Sequence, residues 1–197
     1  MRIVFLTPLY FDARSNLVKR TDALSHVTTW SYDGQGQLVS TTDAASHTTS
    51  YGYDAYGYRT SVTDPLSHST SFTYDSAGRK LSETDPLGRS TSYIYDAANR
   101  LLTVTEPLGK TTAYTYDVVG NRTRITENGT RITQYAYDAK DRLATVTDPL
   151  GHTTTYGYDA VNNQISVTDP LGHATTFTYD ARNRRTSVKD TLNHSTS

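Results

Sequence analysis

The chain contains no cysteine, one methionine and one tryptophan in 197 residues. Without cysteine there is no disulfide framework, no thiolate nucleophile and no Cys-based zinc site. Because that absence suits either side of a membrane, it does not fix a compartment. Excess charge is missing as well. With 19 basic and 20 acidic residues the formal net charge is −1, which leaves no electrostatic footprint for nucleic acid or an anionic membrane. Long apolar runs are absent too. The opening Met-Arg-Ile-Val-Phe-Leu is cut off by Thr7 and Pro8 and is too short for the apolar core of a signal peptide. No later stretch approaches the ~18 uninterrupted apolar residues of a spanning helix, so no membrane span is expected. Leu, Ile, Val and Phe together supply 36 residues. So low a fraction signals disorder when net charge is high, a condition this chain does not meet.

Thr and Ser make up 53 residues and Tyr another 16. A polar, β-branched, Tyr-rich chain favours half-buried sheet. The order of these residues is more informative still. Tyr-Asp recurs at Tyr32-Asp33, Tyr53-Asp54, Tyr74-Asp75, Tyr95-Asp96, Tyr116-Asp117, Tyr137-Asp138, Tyr158-Asp159 and Tyr179-Asp180, always 21 residues apart, with Phe11-Asp12 one step earlier. A second acidic ladder keeps the period: Asp22, Asp43, Asp64, Asp85, Glu106, Glu127, Asp148, Asp169 and Asp190. A third runs His26, His47, His68, Arg89, Lys110, Arg131, His152, His173 and His194. Self-similarity of this kind marks a repeat array. Residues 1–10 form a short leading segment, and residues 11–197 form nine 21-residue units starting at 11, 32, 53, 74, 95, 116, 137, 158 and 179, the last incomplete.

Each unit carries two turns. Asp-Pro-Leu-Gly, as at Asp85–Gly88, suits a type I turn. Asp-x-x-Gly/Asn, as at Asp75–Gly78 and Asp96–Asn99, ends on a residue that tolerates positive φ; Ser15 and Asp141 fill that slot less well. Between the turns lie two runs of about six residues without helical periodicity. Tyr93/Tyr95, Tyr114/Tyr116, Tyr135/Tyr137, Tyr156/Tyr158 and Phe177/Tyr179 share one face by alternation. In the second run Leu102/Val104, Ile165/Val167 and Val146 also share a face, with Thr and Ser on the other. The predicted fold is all-β: a repetitive array of antiparallel hairpins. Nine units give about 18 strands, and open sheets beyond about 10 strands curl, split or flatten, so a spiral sheet or partial shell is expected.

Repeated Tyr-Asp at this spacing, with stretches such as Tyr116-Asp-Val-Val-Gly-Asn-Arg-Thr123 and Ser166-Val-Thr-Asp-Pro-Leu-Gly-His173, resembles the RHS/YD-repeat family. The resemblance covers nearly the whole chain from Phe11. It implies a β-strand spiral that forms a hollow shell, around a C-terminal toxin in bacterial members and around a cytotoxic domain in insecticidal toxin complexes. Teneurins carry a related barrel at the cell surface, and some members are described as carbohydrate-binding. A secreted or cell-surface location follows from the resemblance alone. The chain shows no RHS-core segment with an autocleavage site, no variable toxin and no trafficking domain. It stops before the aromatic its last unit calls for, so it is expected to be a piece of a longer array or to associate through its edges.

Six His in one slot invite a metal reading, but Arg and Lys fill the same slot in three units, and zinc wants converging tetrahedral ligands. A turn-flanking polar role fits better. The repeated carboxylates invite calcium or glycoside hydrolysis. Hydrolysis needs one distinguished pair with split pKa values, whereas these repeat equivalently, each explained by a turn. No catalytic, cofactor or metal residue is therefore assigned, and the chain is expected not to be an enzyme. The Tyr-Asp pairs form a structural ladder. Tyr56 and Tyr58, off the ladder at a hairpin tip, are the candidates for glycan contact, since an aromatic face with a polar rim stacks on sugars. Sequons at Asn121, Asn128 and Asn193 matter in a eukaryotic secretory setting. The leading expectation is a scaffold segment of a toxin-enclosing or surface shell, whose partners are further repeats and an enclosed domain. The alternative is an extracellular carbohydrate-binding or adhesive array.

Overall fold

A computed structural model describes residues 8–192 and 194–196. The opening apolar run, Thr7, the sequon residue Asn193 and Ser197 lie outside the described residues. The chain falls into two compact units, Met1–Tyr93 and Ile94–Ser197. The first holds β1 Leu9–Phe11, β2 Leu17–Thr21, β3 Val27–Tyr32, β4 Leu38–Thr42, β5 Thr48–Tyr53, β6 Arg59–Thr63, β7 Ser69–Tyr74, β8 Lys80–Thr84 and the start of β9, Ser90–Tyr95. The second holds β10 Leu101–Thr105, β11 Thr111–Tyr116, β12 Arg122–Glu127, β13 Arg131–Tyr137, β14 Leu143–Thr147, β15 Thr153–Tyr158, β16 Gln164–Thr168, β17 Ala174–Tyr179, β18 Arg185–Lys189 and β19 Ser195–Thr196. The expected hairpin array is therefore present, with the leading segment adding β1. Within each unit every strand pairs antiparallel with its neighbours in sequence. The chain's one helical element among the described residues is a 3₁₀ turn at Pro107–Gly109. No helix there is long and apolar enough to cross a membrane.

The aromatic face forms as alternation requires. Tyr51 lies opposite Val62, Tyr135 opposite Val146, Tyr156 opposite Val167 and Phe177 opposite Val188, and such cross-strand pairs contribute about 0.2–1 kcal/mol each. Cations lie among the rings: Lys80 Nζ is 5.8 Å from the Phe72 centroid and 4.9 Å from that of Tyr93. Glu83 takes the Val position opposite Phe72 and pairs with Lys80 at 2.7 Å, so this unit replaces an aliphatic contact by an ion pair.

One expected face is wrong. Simple alternation puts Ile165 beside Val167, but Gly157 pairs with Ser166 and Tyr158 with Gln164, leaving Ile165 as the extra residue of a β-bulge. The bulge turns this slot to the Thr/Ser face. Thr123 and Thr186, which fill it in other units, bond there to Thr115 at 3.0 Å and to Thr178 at 2.8 Å. Ile165 Cγ1 lies 3.9 Å from where a Cβ on Gly157 would stand, and Ile165 is 38% exposed. Leu102 holds the same slot in its own unit. The same bulge recurs at other Tyr-Asp turns, as at Ser31/Tyr32, Gly52/Tyr53, Thr73/Tyr74 and Thr115/Tyr116.

Among the described residues not one side chain is fully buried, apolar or polar. Each unit is a single layer of sheet whose aromatic face is half-covered by its own neighbours.

Candidate functional site

The turns that open on Asp share one device. In the Asp148 turn, Gly151 N–H donates to the Asp148 carbonyl at 3.0 Å and Asp148 N–H donates to the His152 carbonyl at 2.9 Å. The Asp148 Oδ1 accepts from the amides of Leu150 and His152. This is a type I turn followed by a residue at positive φ, the usual three-residue hairpin loop. The positive-φ slot is taken by Gly151, but equally by Ser25 (φ 67), Asn99 (φ 64) and Asp141 (φ 59). The side-chain bonds hold the turn in place of glycine's freedom.

The second carboxylate oxygen takes the side chain four residues on. All six His place Nδ1 2.9–3.2 Å from their own turn Asp Oδ2. Gln37 and Tyr58 fill that slot in two of the nine aromatic-Asp turns. In the other seven the residue there is an Asn, as Asn16 to Asp12 at 3.0 Å, or an Arg, as Arg100 Nε to Asp96 at 2.7 Å and Arg142 Nε to Asp138 at 2.8 Å. These bonds hold the Asp138 carboxyl down at about 2, the Arg142 guanidinium first among the causes. Among the described residues no group of three or more His, Asp or Glu converges as a metal set would.

The two Glu units break the pattern. Glu106 makes no cap bond to its turn, and Leu108 turns over to φ 73 ahead of Gly109 at φ 80. At Glu127 residues 128–130 connect the strands, and positive φ falls on both Asn128 (φ 50) and Gly129 (φ 71).

The Tyr of seven Tyr-Asp pairs makes a bond that alternation could not show. Its hydroxyl donates to the backbone carbonyl 15 residues earlier: Tyr32 to Leu17, Tyr53 to Leu38, Tyr74 to Arg59, Tyr116 to Leu101, Tyr137 to Arg122, Tyr158 to Leu143 and Tyr179 to Gln164, at 2.8–3.1 Å. The acceptor sits at the bulge of the preceding hairpin, where the strand ladder is interrupted. Within the repeat the signal was readable: this position is Tyr in eight units, while the aromatic two residues earlier is also Phe72, Phe177 or Trp30.

Arginine clasps reach further. Arg100 Nη1 donates to the carbonyl of Asp117 at 3.0 Å and its guanidinium lies 4.8 Å from the Tyr116 ring. Arg142 does the same to Asp159 at 2.8 Å and Tyr158 at 4.6 Å. Tyr58 occupies the corresponding slot after Asp54 and stacks on Tyr74, centroids 5.2 Å apart. Tyr56 lies 6.5 Å from Tyr58 and stands 82% exposed. Of the two glycan-contact candidates, then, one has its ring face covered and the other is open. A cavity of about 640 Å³ lies beside them, lined by Asp33, Gln37, Tyr51, Tyr53, Asp54 and Tyr56 among others.

The family described as RHS Repeat matches in eight overlapping windows: residues 11–48, 32–68, 53–90, 74–111, 95–132, 116–153, 137–172 and 158–194. No curated protein sequence matches. Among solved structures, the Tc holotoxin pore of Photorhabdus luminescens with a substituted TccC3 is similar at 23% identity and a TM-score of 0.65, over 82% of this chain and 10% of that one. A TcdB2-TccC3-Cdc42 structure is similar at 17% identity and a TM-score of 0.59, over 92% of this chain and 13% of that one. At these identities the likeness is one of fold, and this chain spans about a tenth of the length of either. Windows that together run from residue 11 to residue 194 establish that the chain belongs to the RHS repeat family.

Proposed function

We propose that this chain is a wall segment of an RHS shell: a structural scaffold, without catalysis of its own, that takes part in enclosing or presenting a further domain. The observation that carries this reading is the lack of any fully buried side chain among the described residues. A sheet with one aromatic face and no second layer gains its remaining hydrophobic stabilisation when other protein covers that face. The turn tips point the same way. Leu24, Leu66, Leu87, Leu108, Leu150, Leu171 and Leu192 are 73–99% exposed, and a further layer of protein laid along these turns would cover them. The Tyr hydroxyl bonds and the Arg100 and Arg142 contacts tie one repeat to the next, which suits a wall.

The test is to express the array with the coding sequence that continues it and to follow proteolysis of the added domain. Protection that disappears when the repeats are deleted is the expected result. A domain digested equally fast with and without the array would overturn the reading. The sugar-binding alternative rests on Tyr56, since the ring of Tyr58 is already engaged by Tyr74.

A further inference from the structure

The eight Tyr-Asp turns and the Phe11-Asp12 turn share one frame, so a turn that lacks a part shows what the others hold in that place. After Asp96 and Asp138 the clasp is an arginine with a fixed set of partners: its own Asp Oδ2, the backbone carbonyl of the next turn Asp, and the face of the next ladder Tyr. After Asp33 the same position is Gln37. Asp33 Oδ1 accepts the amides of Gln35 and Gln37 as in every other turn, but its second oxygen accepts no side-chain hydrogen bond. The remaining partners are nonetheless in place. Tyr53 is held by the same hydroxyl bond, to Leu38 at 2.9 Å, that Tyr116 makes to Leu101, and Asp54 follows it as Asp117 follows Tyr116. The Gln37 side chain is shorter than arginine's and lays its amide against Gly57 of the next turn, and beside it is the cavity of about 640 Å³, lined by Asp33, Gln37, Tyr53 and Asp54, with no basic residue on its walls.

We propose that the cavity between the Asp33 and Asp54 turns is a binding site for a guanidinium cation. The cation donates to Asp33 Oδ2 and to the Asp54 carbonyl, and lies over the ring of Tyr53. Charge-assisted bonds to a carboxylate and a cation over an aromatic face reinforce one another for a planar, weakly hydrated ion. A compact, strongly hydrated ammonium matches the planar slot less well. Tyr56 and the Gln37 amide at the rim are placed to touch whatever carries the group.

The test is an NMR titration of the full chain, following the ring resonances of Tyr53 and Tyr56. The probes are methylguanidinium, L-arginine, N-acetyl-arginine amide and L-lysine, at concentrations far below those that denature. Saturable shifts with the first three, and markedly weaker ones with lysine, are expected. Asp33→Asn keeps the Oδ1 acceptor of the turn and removes the charge, and should weaken binding about tenfold. Gln37→Arg supplies the chain's own guanidinium, and should abolish binding and raise the melting temperature. N-acetyl-arginine amide binding at least as well as L-arginine would identify the ligand as an arginine side chain of a polypeptide. A preference for free arginine would identify a small molecule. No saturable shift in the unaltered chain, equal binding of lysine, or undiminished binding in Gln37→Arg would each overturn the assignment.

Discussion

Replacing Asp by Glu in a turn adds one methylene and carries the carboxylate past the amide it would accept. In the Pro-Leu-Gly turns that begin with Asp85, Asp148 and Asp169, Oδ1 takes the Leu amide at 2.8–2.9 Å and positive φ is confined to the following Gly. At Glu106 that bond is missing and Leu108 itself sits at φ 73, a region that is strained for a residue with a side chain. Glu106→Asp is therefore expected to restore the ordinary turn and to stabilise the chain by about 1 kcal/mol, measured as a shift in the urea midpoint at constant slope. The two aromatics of a strand should also separate. Tyr116→Phe removes a hydroxyl that donates to Leu101 at 2.9 Å and should cost about 0.5–1.5 kcal/mol. Tyr114→Phe, at a position where other units carry Phe72 and Phe177, should change stability by less than about 0.5 kcal/mol. Equal losses at the two positions would refute the role given to the ladder hydroxyl.

At the scale of the hairpin, the turns tie stability to pH. Thirteen turn aspartates, among them Asp22, Asp64, Asp75, Asp85, Asp148 and Asp180, titrate below the ordinary carboxylate range. At Asp85 the backbone amide of Arg89 is the largest cause and, against some loss of hydration, its guanidinium adds to it. A carboxyl whose pKa is lower in the folded than in the unfolded chain contributes stability above its unfolded value and loses it as pH falls through the folded one. The array should thus keep its stability down to the unfolded carboxyl range near pH 4, and lose it progressively toward about 2, the value reached by Asp138. Circular-dichroism melts from pH 6 to pH 2 would show a steep fall in melting temperature confined to that window. A flat profile would show that the clasps contribute nothing.

For the molecule as a whole, pairing restricted to sequence neighbours makes stability close to a sum over units and their interfaces. Deleting residues 137–157, one full period, joins Ala136 to Tyr158 in the position that Tyr137 held. Such a chain should still unfold cooperatively and remain monodisperse, with a modestly lower melting temperature. Deleting half a period instead sets one strand type where the other belongs and exchanges the aromatic and Thr/Ser faces. That chain should aggregate in size-exclusion chromatography. Exchange of behaviour between the two deletions would contradict a unit-by-unit build.

Strand positions, hairpin pairing, both turns and the family were determined by the sequence alone, because each rests on physics acting within a few residues: alternation across a strand, the short side chain of Asp, and Gly or Asn where φ turns positive. Period counting also exposed the ladder itself. The bulge that moves Ile165 to the Thr/Ser face, the carbonyl that each ladder Tyr reaches, and the space left after Asp33 were decided by tertiary structure. The bulge follows from how a Tyr-Asp turn closes its own hairpin, whereas the other two depend on how one hairpin lies against the next, with the two partners in successive units. The one hint in the chain was Gln37 standing where Arg and Asn recur. That substitution acquires a chemical meaning once Arg100 and Arg142 are seen bridging to the turn that follows them.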